Sequence, residues 1–391
     1  MDTLELNKVN KLILKKQHLT EDSKIDDLIQ ITDDVCGLHS TNLTTSFLSL
    51  FARTKNFEKT DLERELYTNR TLGRIRGMRK TLFIQTKNMI PIVYSATFNM
   101  IEKYFEKYME FHNFSLKEYQ EVSGKIMNIL KGRELSASEI RKELNSNLSI
   151  PAIIQLMCDN GVLLRVKQIK DWKDRRNKYA LFKEYFPSID LKKIDEKKAT
   201  QLLLKKYLER YGPVSENDMS WWIGLPKSQI REALKNIEPQ LNKIKISSIK
   251  GTFIISNSDI VQLQNSTNSN KPLLTLLPEL DPYPMGYKER ERYIEFNNYN
   301  KVFDRSGNIS SSIFLDGVII GVWDAEEKPE PVVKFYLFRS IDKDLFEELC
   351  SKVQKIGKFY FNKEVPIKEC ESMTPLTERT AGGFMRPLKN C

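Results

Sequence analysis

The chain has 391 residues, 40% hydrophobic and 29% charged, which is too long for one compact core and argues for about two to four domains. With 62 Lys and Arg against 52 Asp and Glu, its net charge is +10, which favours a polyanionic partner. The polar start Met1-Asp2-Thr3-Leu4-Glu5 has no signal-peptide core, and no uncharged apolar run approaches membrane-spanning length. A cytoplasmic protein with no membrane partner is expected, nucleoid-associated if the source is prokaryotic.

The first unit, about Leu4 to Gln85, holds amphipathic helices around Val9–Leu14 and Ile25–Cys36. A break at Gly37-Leu38-His39-Ser40-Thr41-Asn42 precedes a helix from Thr44 to Arg53 and another over Lys59–Leu66. Arg70, Arg74, Arg76, Arg79 and Lys80 then follow without an acid, on what reads as a basic helix end leading into the strand Thr81–Ile84. From Asn88 to Glu118 runs an aromatic-rich helical connector.

The second unit is the clearest. Ser123–Lys131 has Ile126, Ile129 and Leu130 at helical spacing, and Ser136-Ala137-Ser138-Glu139 is a capping box for a helix through Leu144. A third helix starts near Ser149 with Pro151 in its first turn and stops at Asn160-Gly161. Val162–Val166 and Lys178–Phe182 pair around a loop, and Arg165 to Lys183 carries eight Lys/Arg against two Asp. A hairpin does not need that charge to fold, whereas a phosphate backbone rewards it. Lys173, Arg175, Arg176 and Lys178 are therefore candidate DNA contacts beside Arg70, Arg74, Arg76, Arg79 and Lys80; for each group a solvated basic face is the alternative. Trp172 either wedges into a groove or anchors its loop.

The third unit, about Lys198 to Ser256, has Ser215-x-x-Asp218 capping a helix with Trp221 and Trp222, read as core, and a hairpin around Lys250-Gly251. Gln262–Pro272 is the best linker. Beyond it the pattern turns to strands: Ser312–Leu315 and Val318–Trp323 flank the hairpin signal Asp316-Gly317, and Val332–Phe338 precedes a helix over Leu345–Ile356. The expected fold is α+β: three tandem winged-helix units (4–85, 121–186, 187–261) with a connector at 86–120, a linker at 262–272, and a small C-terminal domain at 273–391, β-barrel-like or a β-sheet with one packed helix.

Five scattered cysteines with no CxxC pair read as reduced thiols, and His18, His39 and His112 are too far apart to suggest zinc. No phosphate-binding glycine loop and no GxSxG serine is present.

Several blocks together resemble the tandem winged-helix DNA glycosylases of the AlkZ/YcaQ type. They are Cys36-Gly37-Leu38-His39-Ser40-Thr41 with Leu50–Arg53, Arg76–Phe83, Arg210–Val214 with Asp218 and Trp222, Leu276–Tyr283 with Gly286, Tyr287 and Arg290, and Leu315–Trp323. The resemblance implies a curved body that binds double-stranded, damaged DNA and releases alkylated or crosslinked purines with no metal or cofactor. It also implies a Gln-x-Gln or Gln-x-Asp catalytic motif, where this chain has His39 and Thr41.

Release of a cationic alkylpurine needs a water beneath C1′ and stabilisation of positive charge on the sugar, with little acid catalysis. A neutral His39 imidazole can accept the water's proton and the Thr41 hydroxyl can hold the same water. The bland alternatives are a helix-end hydrogen bond for His39 and a helix cap for Thr41. Asp281, in a matched block, is either site support or a turn residue before proline. The leading expectation is a glycosylase; the alternative is a catalytically silent winged-helix DNA binder, a regulator or lesion sensor. A third reading, a protein-binding scaffold, predicts basic clusters on scattered faces. Several DNA contacts in one chain favour a monomer.

Overall fold

The computed structural model describes residues 3–265 and 271–379. A short strand β1 (Thr3–Leu4) leads into α1 (Leu6–Lys16), which buries Val9, Leu12 and Ile13. One order of elements then occurs three times: a helix, a very short strand (a single bridging residue, Val214, in the third), two helices and a hairpin. The first set is α2 (Leu28–Asp34), β2 (Leu38–His39), α3 (Leu43–Phe51), α4 (Lys59–Glu63), β3 (Leu72–Arg76) and β4 (Leu82–Thr86). Helices α5 (Met89–Glu102) and α6 (Phe105–Phe111) connect to the second. It comprises α7 (Leu116–Ile129), β5 (Leu135–Ser136), α8 (Ala137–Leu144), α9 (Ile150–Asp159), β6 (Leu163–Gln168) and β7 (Asn177–Leu181). After the single turn α10 (Phe182–Tyr185) come α11 (Glu196–Tyr211), α12 (Glu216–Ile223), α13 (Lys227–Lys235), β8 (Leu241–Ile246) and β9 (Ile249–Ser256).

In every set the short strand pairs with the last one. Leu38 faces Ile84, Leu135 faces Tyr179, and in the third set Val214 bridges Ile254. Local chemistry starts the helices: Ser136 with Glu139 and Ser215 with Asp218 form reciprocal capping boxes, each satisfying two backbone N–H groups that the helix leaves open. The first two hairpins merge edge to edge through Arg74 and Arg165 into a six-stranded sheet of order β2-β4-β3-β6-β7-β5.

The rest is α14 (Asn257–Asn265), β10 (Leu274–Leu277), α15 (Tyr299–Val302), β11 (Ser312–Leu315), β12 (Val318–Glu326), β13 (Val332–Leu337), α16 (Lys343–Phe361), β14 (Ile367–Glu369) and α17 (Leu376–Arg379). Asp316 and Gly317, both at positive φ, turn β11 into β12 as a two-residue loop requires. Of the two expected arrangements the described residues form the sheet with a packed helix: the strands order as β10-β11-β12-β13-β14, and α16 packs Leu349, Val353 and Ile356 across them. A helix covering the apolar face removes the need for closure.

Four expectations change. Leu72–Arg76 is a strand, not a helix end, because β4 and β6 pair with its two edges; Arg79 and Lys80 sit in the tight turn after it at positive φ. Helix α1, which opens the sequence of the first unit, packs against α11 and α14 of later ones. The linker is helical up to Asn265; residues 266–270 lie outside the described chain. Cys36, Cys158 and Cys350 are free thiols, but Cys370 is disulfide-bonded.

Candidate active site

The break after α2 is tightly built. Gly37 has φ +104, and a Cβ there would lie 2.1 Å from the Gln85 amide nitrogen, so only glycine fits. Gln85 donates to the Cys36 carbonyl from the same place (3.1 Å). The chain then pairs as β2, bends at Thr41 and Asn42, and enters α3 with Asn42 as N-cap, accepting from the Thr44 N–H (3.4 Å). The cap is therefore Asn42, leaving Thr41 exposed on the bend. From beneath, Arg74 donates to the Ser40 carbonyl (2.9 Å) and to the Asn177 side chain (2.6 Å).

His39 points into the protein. It is 6% exposed, meets Phe83 edge-on at 5.3 Å, and lines a cavity of about 20 Å³ with Cys36, Arg79, Tyr211 and Trp222. That space holds about one water. Its Nδ1 has no hydrogen-bond partner among the described residues. Burial, and then the nearby Arg79 cation, push its pKa down to about 3, so the imidazole is neutral at physiological pH.

On the other side of the turn, α3 is clamped to the segment that follows β10. Arg53 grips Asp281 through two parallel hydrogen bonds of 2.7 and 2.8 Å, both side chains fully buried, and Ser49 donates to the same carboxylate (2.7 Å). At the opposite end of the helix, Asn42 donates to Glu279 (3.0 Å). Asp281 fixes the segment bearing Glu279 against the helix that follows the turn, and it also accepts the Tyr283 N–H (3.0 Å), as a turn residue before proline does. Glu279 faces an open cleft of about 220 Å³ lined also by Asn42, Thr45, Arg175, Ser311 and Tyr360. Burial raises its pKa, against the opposing effects of the Asn42 hydrogen bond and the Arg175 cation. Sequence reasoning passed over Glu279, although it lies in the same matched block as Asp281.

Of the basic candidates, several are engaged inside the protein. Arg74 is buried, with its pKa pushed down to about 10 by desolvation. Arg76 pairs with Asp159 (2.7 Å) and donates to the Lys80 carbonyl (2.6 Å). Arg70 lies over Tyr185, Arg79 over Trp221 and Lys80 over Tyr104. In the β6–β7 loop, Lys173 reaches Glu327 (2.6 Å) and Arg176 pairs with Asp174 (2.8 Å). Arg175 and Arg176 are exposed, and Lys178 stands on β7 opposite Ser136. Trp172 anchors its loop, buried against Phe47, Phe359 and Tyr360. Trp222 is core, stacked on Tyr207, whereas Trp221 is only partly covered. Among the described residues no His, Cys, Asp and Glu cluster could hold a metal ion, and no helix is long and apolar enough to cross a membrane.

The model of the family "DNA glycosylase AlkZ-like" matches residues 32–359, a span that includes the turn, α3 and the segment clamped to it. Among solved structures, the Streptomyces sahachiroi DNA glycosylase AlkZ aligns with a TM-score of 0.76 at 16% identity, covering 94% of this chain and 100% of that one. At that identity the likeness is one of fold. No curated protein sequence matches the chain.

Proposed function

Because this chain belongs to the AlkZ-like DNA glycosylase family, we propose that it acts as a monomer on damaged double-stranded DNA and hydrolyses the N-glycosidic bond of alkylated or crosslinked purines. The observation that carries this reading is the family match across both halves of the clamp, α3 and the Glu279–Asp281 segment. The three repeated sets are read as winged helices, with the β6–β7 loop and its Arg175 and Arg176 against the phosphate backbone. Arg70, Arg79, Lys80, Lys173 and Lys178 add positive field around it. Arg74 and Arg76 act through the turn and the sheet edge they hold. The reading takes no metal and no cofactor.

His39 and Thr41 are proposed to replace the family's glutamine pair. The exposed Thr41 hydroxyl meets the attacking water, and neutral His39 supports the turn from behind, without a net charge to repel the sugar cation. The leaving purine, cationic when alkylated at N7 or N3, departs with the electron pair of the C1′–N bond and becomes neutral. Little general acid is then required.

One observation favours a second reading, a silent duplex binder: His39 is turned away from the open cleft. The two readings separate in a base-release assay on a duplex carrying one N7-alkylguanine. The glycosylase reading expects free base and an abasic strand at enzyme excess. Tight, salt-sensitive binding with no release from this lesion or a crosslinked one would establish the silent binder.

A further inference from the structure

The chemistry beneath C1′ needs a proton acceptor, and His39 is badly placed for it: buried, facing a one-water cavity, and held neutral against protonation. Glu279 is placed differently. It lines the open cleft beside the turn, its carboxylate aimed by the Asn42 amide (3.0 Å) and its backbone N–H tied to the Ser311 hydroxyl (3.0 Å). Next to it Leu280 adopts a left-handed conformation (φ 57), and the bidentate Arg53–Asp281 pair locks the chain beyond. A second feature points to a bound molecule in the same cleft. Thr45 is 1% exposed and lines it, yet its hydroxyl has no hydrogen-bond partner among the described residues.

We propose that Glu279 is the general base of this chain, taking the proton of the water that attacks C1′, with Asn42 positioning its carboxylate and Thr45 donating to or accepting from the same water. The inference rests on the glycosylase reading above. In the step, the water oxygen forms the new bond to C1′ as the C1′–N bond breaks. The electron pair leaves on the purine nitrogen, and the water's second proton passes to Glu279 and then to solvent. The charged and titratable groups around the carboxylate are Arg175 from the β6–β7 loop, Asp324 from β12 and Tyr360 from α16. Burial holds Glu279 above the ordinary carboxylate range, which strengthens it as a base.

The test is single-turnover release of N7-methylguanine from a duplex by wild type, Glu279→Gln and Glu279→Asp over a pH series, with duplex affinity and melting temperature measured alongside. Glu279→Gln keeps the hydrogen bond from Asn42 and is expected to lose about 100-fold or more in rate with affinity unchanged. The wild-type rate should rise with pH through one carboxylate ionisation, a limb that Asp retains at lower rate and Gln lacks. Release by Glu279→Gln within about threefold of a productive wild type overturns the assignment while the glycosylase reading stands. A wild-type profile flat through the carboxylate range overturns it even if the variants do not fold. Absence of release by wild type removes the glycosylase reading and this role together.

Discussion

The first and second repeated sets differ most at the joint between the short strand and the helix after it. In the second, Ser136 is both the last residue of β5 and the N-cap of α8, so strand and helix share a residue. In the first, β2 ends at His39 and the cap comes three residues later, at Asn42. The third set follows the second, with Ser215 capping α12 directly after the Val214 bridge. Lengthening this joint once makes a bend, and a bend has backbone groups that no helix or sheet satisfies. Arg74 takes up one of them and Asn42 binds outward to Glu279. The first set thus trades a self-sufficient cap for a turn held by groups distant in sequence, and there the candidate chemistry sits.

Four measurements break or sharpen that contrast. The largest effect is expected from Asp281→Asn, which leaves the fully buried Arg53 cation uncompensated and should cost about 3–5 kcal/mol in denaturant unfolding. Arg74→Ala frees the Ser40 carbonyl and the Asn177 side chain; a loss of about 2 kcal/mol is expected, with slower base release. His39 supplies a pH signature. Its folded pKa, about 3, lies below its ordinary 6.5, so the unfolded chain binds the extra proton between those values. Its contribution to stability is full above pH 6.5 and is lost as the pH falls towards 3, with a slope of at most about 1.4 kcal/mol per pH unit. His39→Gln should remove that component from the wild-type curve, and an unchanged curve would show that His39 is not buried as described. The smallest effects belong to the self-sufficient joints: Ser136→Ala and Ser215→Ala should each cost about 1 kcal/mol in unfolding.

What the sequence made legible was local. Ser136-x-x-Glu139, Ser215-x-x-Asp218, Pro151 at a helix start and Asp316-Gly317 in a hairpin each act within a few residues, and each formed as expected. The misread segment, Arg70 to Lys80, has its partners elsewhere: Arg74 ends on Ser40 and Asn177, and Arg76 on Asp159. A run of basic residues without acids reads as a helix end until the acceptors of Arg74 and Arg76 show a strand with internal partners. The site was half legible for the same reason. Position 39 was found by resemblance, but whether its ring faces the cleft depends on Phe83 and Tyr211, and Glu279 gains meaning only from Asn42, far earlier in the chain.

The first residues of the chain are held by partners more than 190 positions further on. Strand β1 pairs in parallel with Lys245 and Ile246 of β8; Lys16 reaches Asp259 (2.7 Å), Gln17 the Arg210 carbonyl (3.2 Å) and Asn10 the Arg292 carbonyl (3.0 Å). A ribosome makes residues 3–17 well before the partners at Arg210, Lys245, Asp259 and Arg292. Until then α1 is an amphipathic helix with its apolar stripe uncovered, the kind of segment that chaperones hold and that aggregates when left waiting. Yield in a heterologous host should therefore depend on what shelters the first helix in the interval.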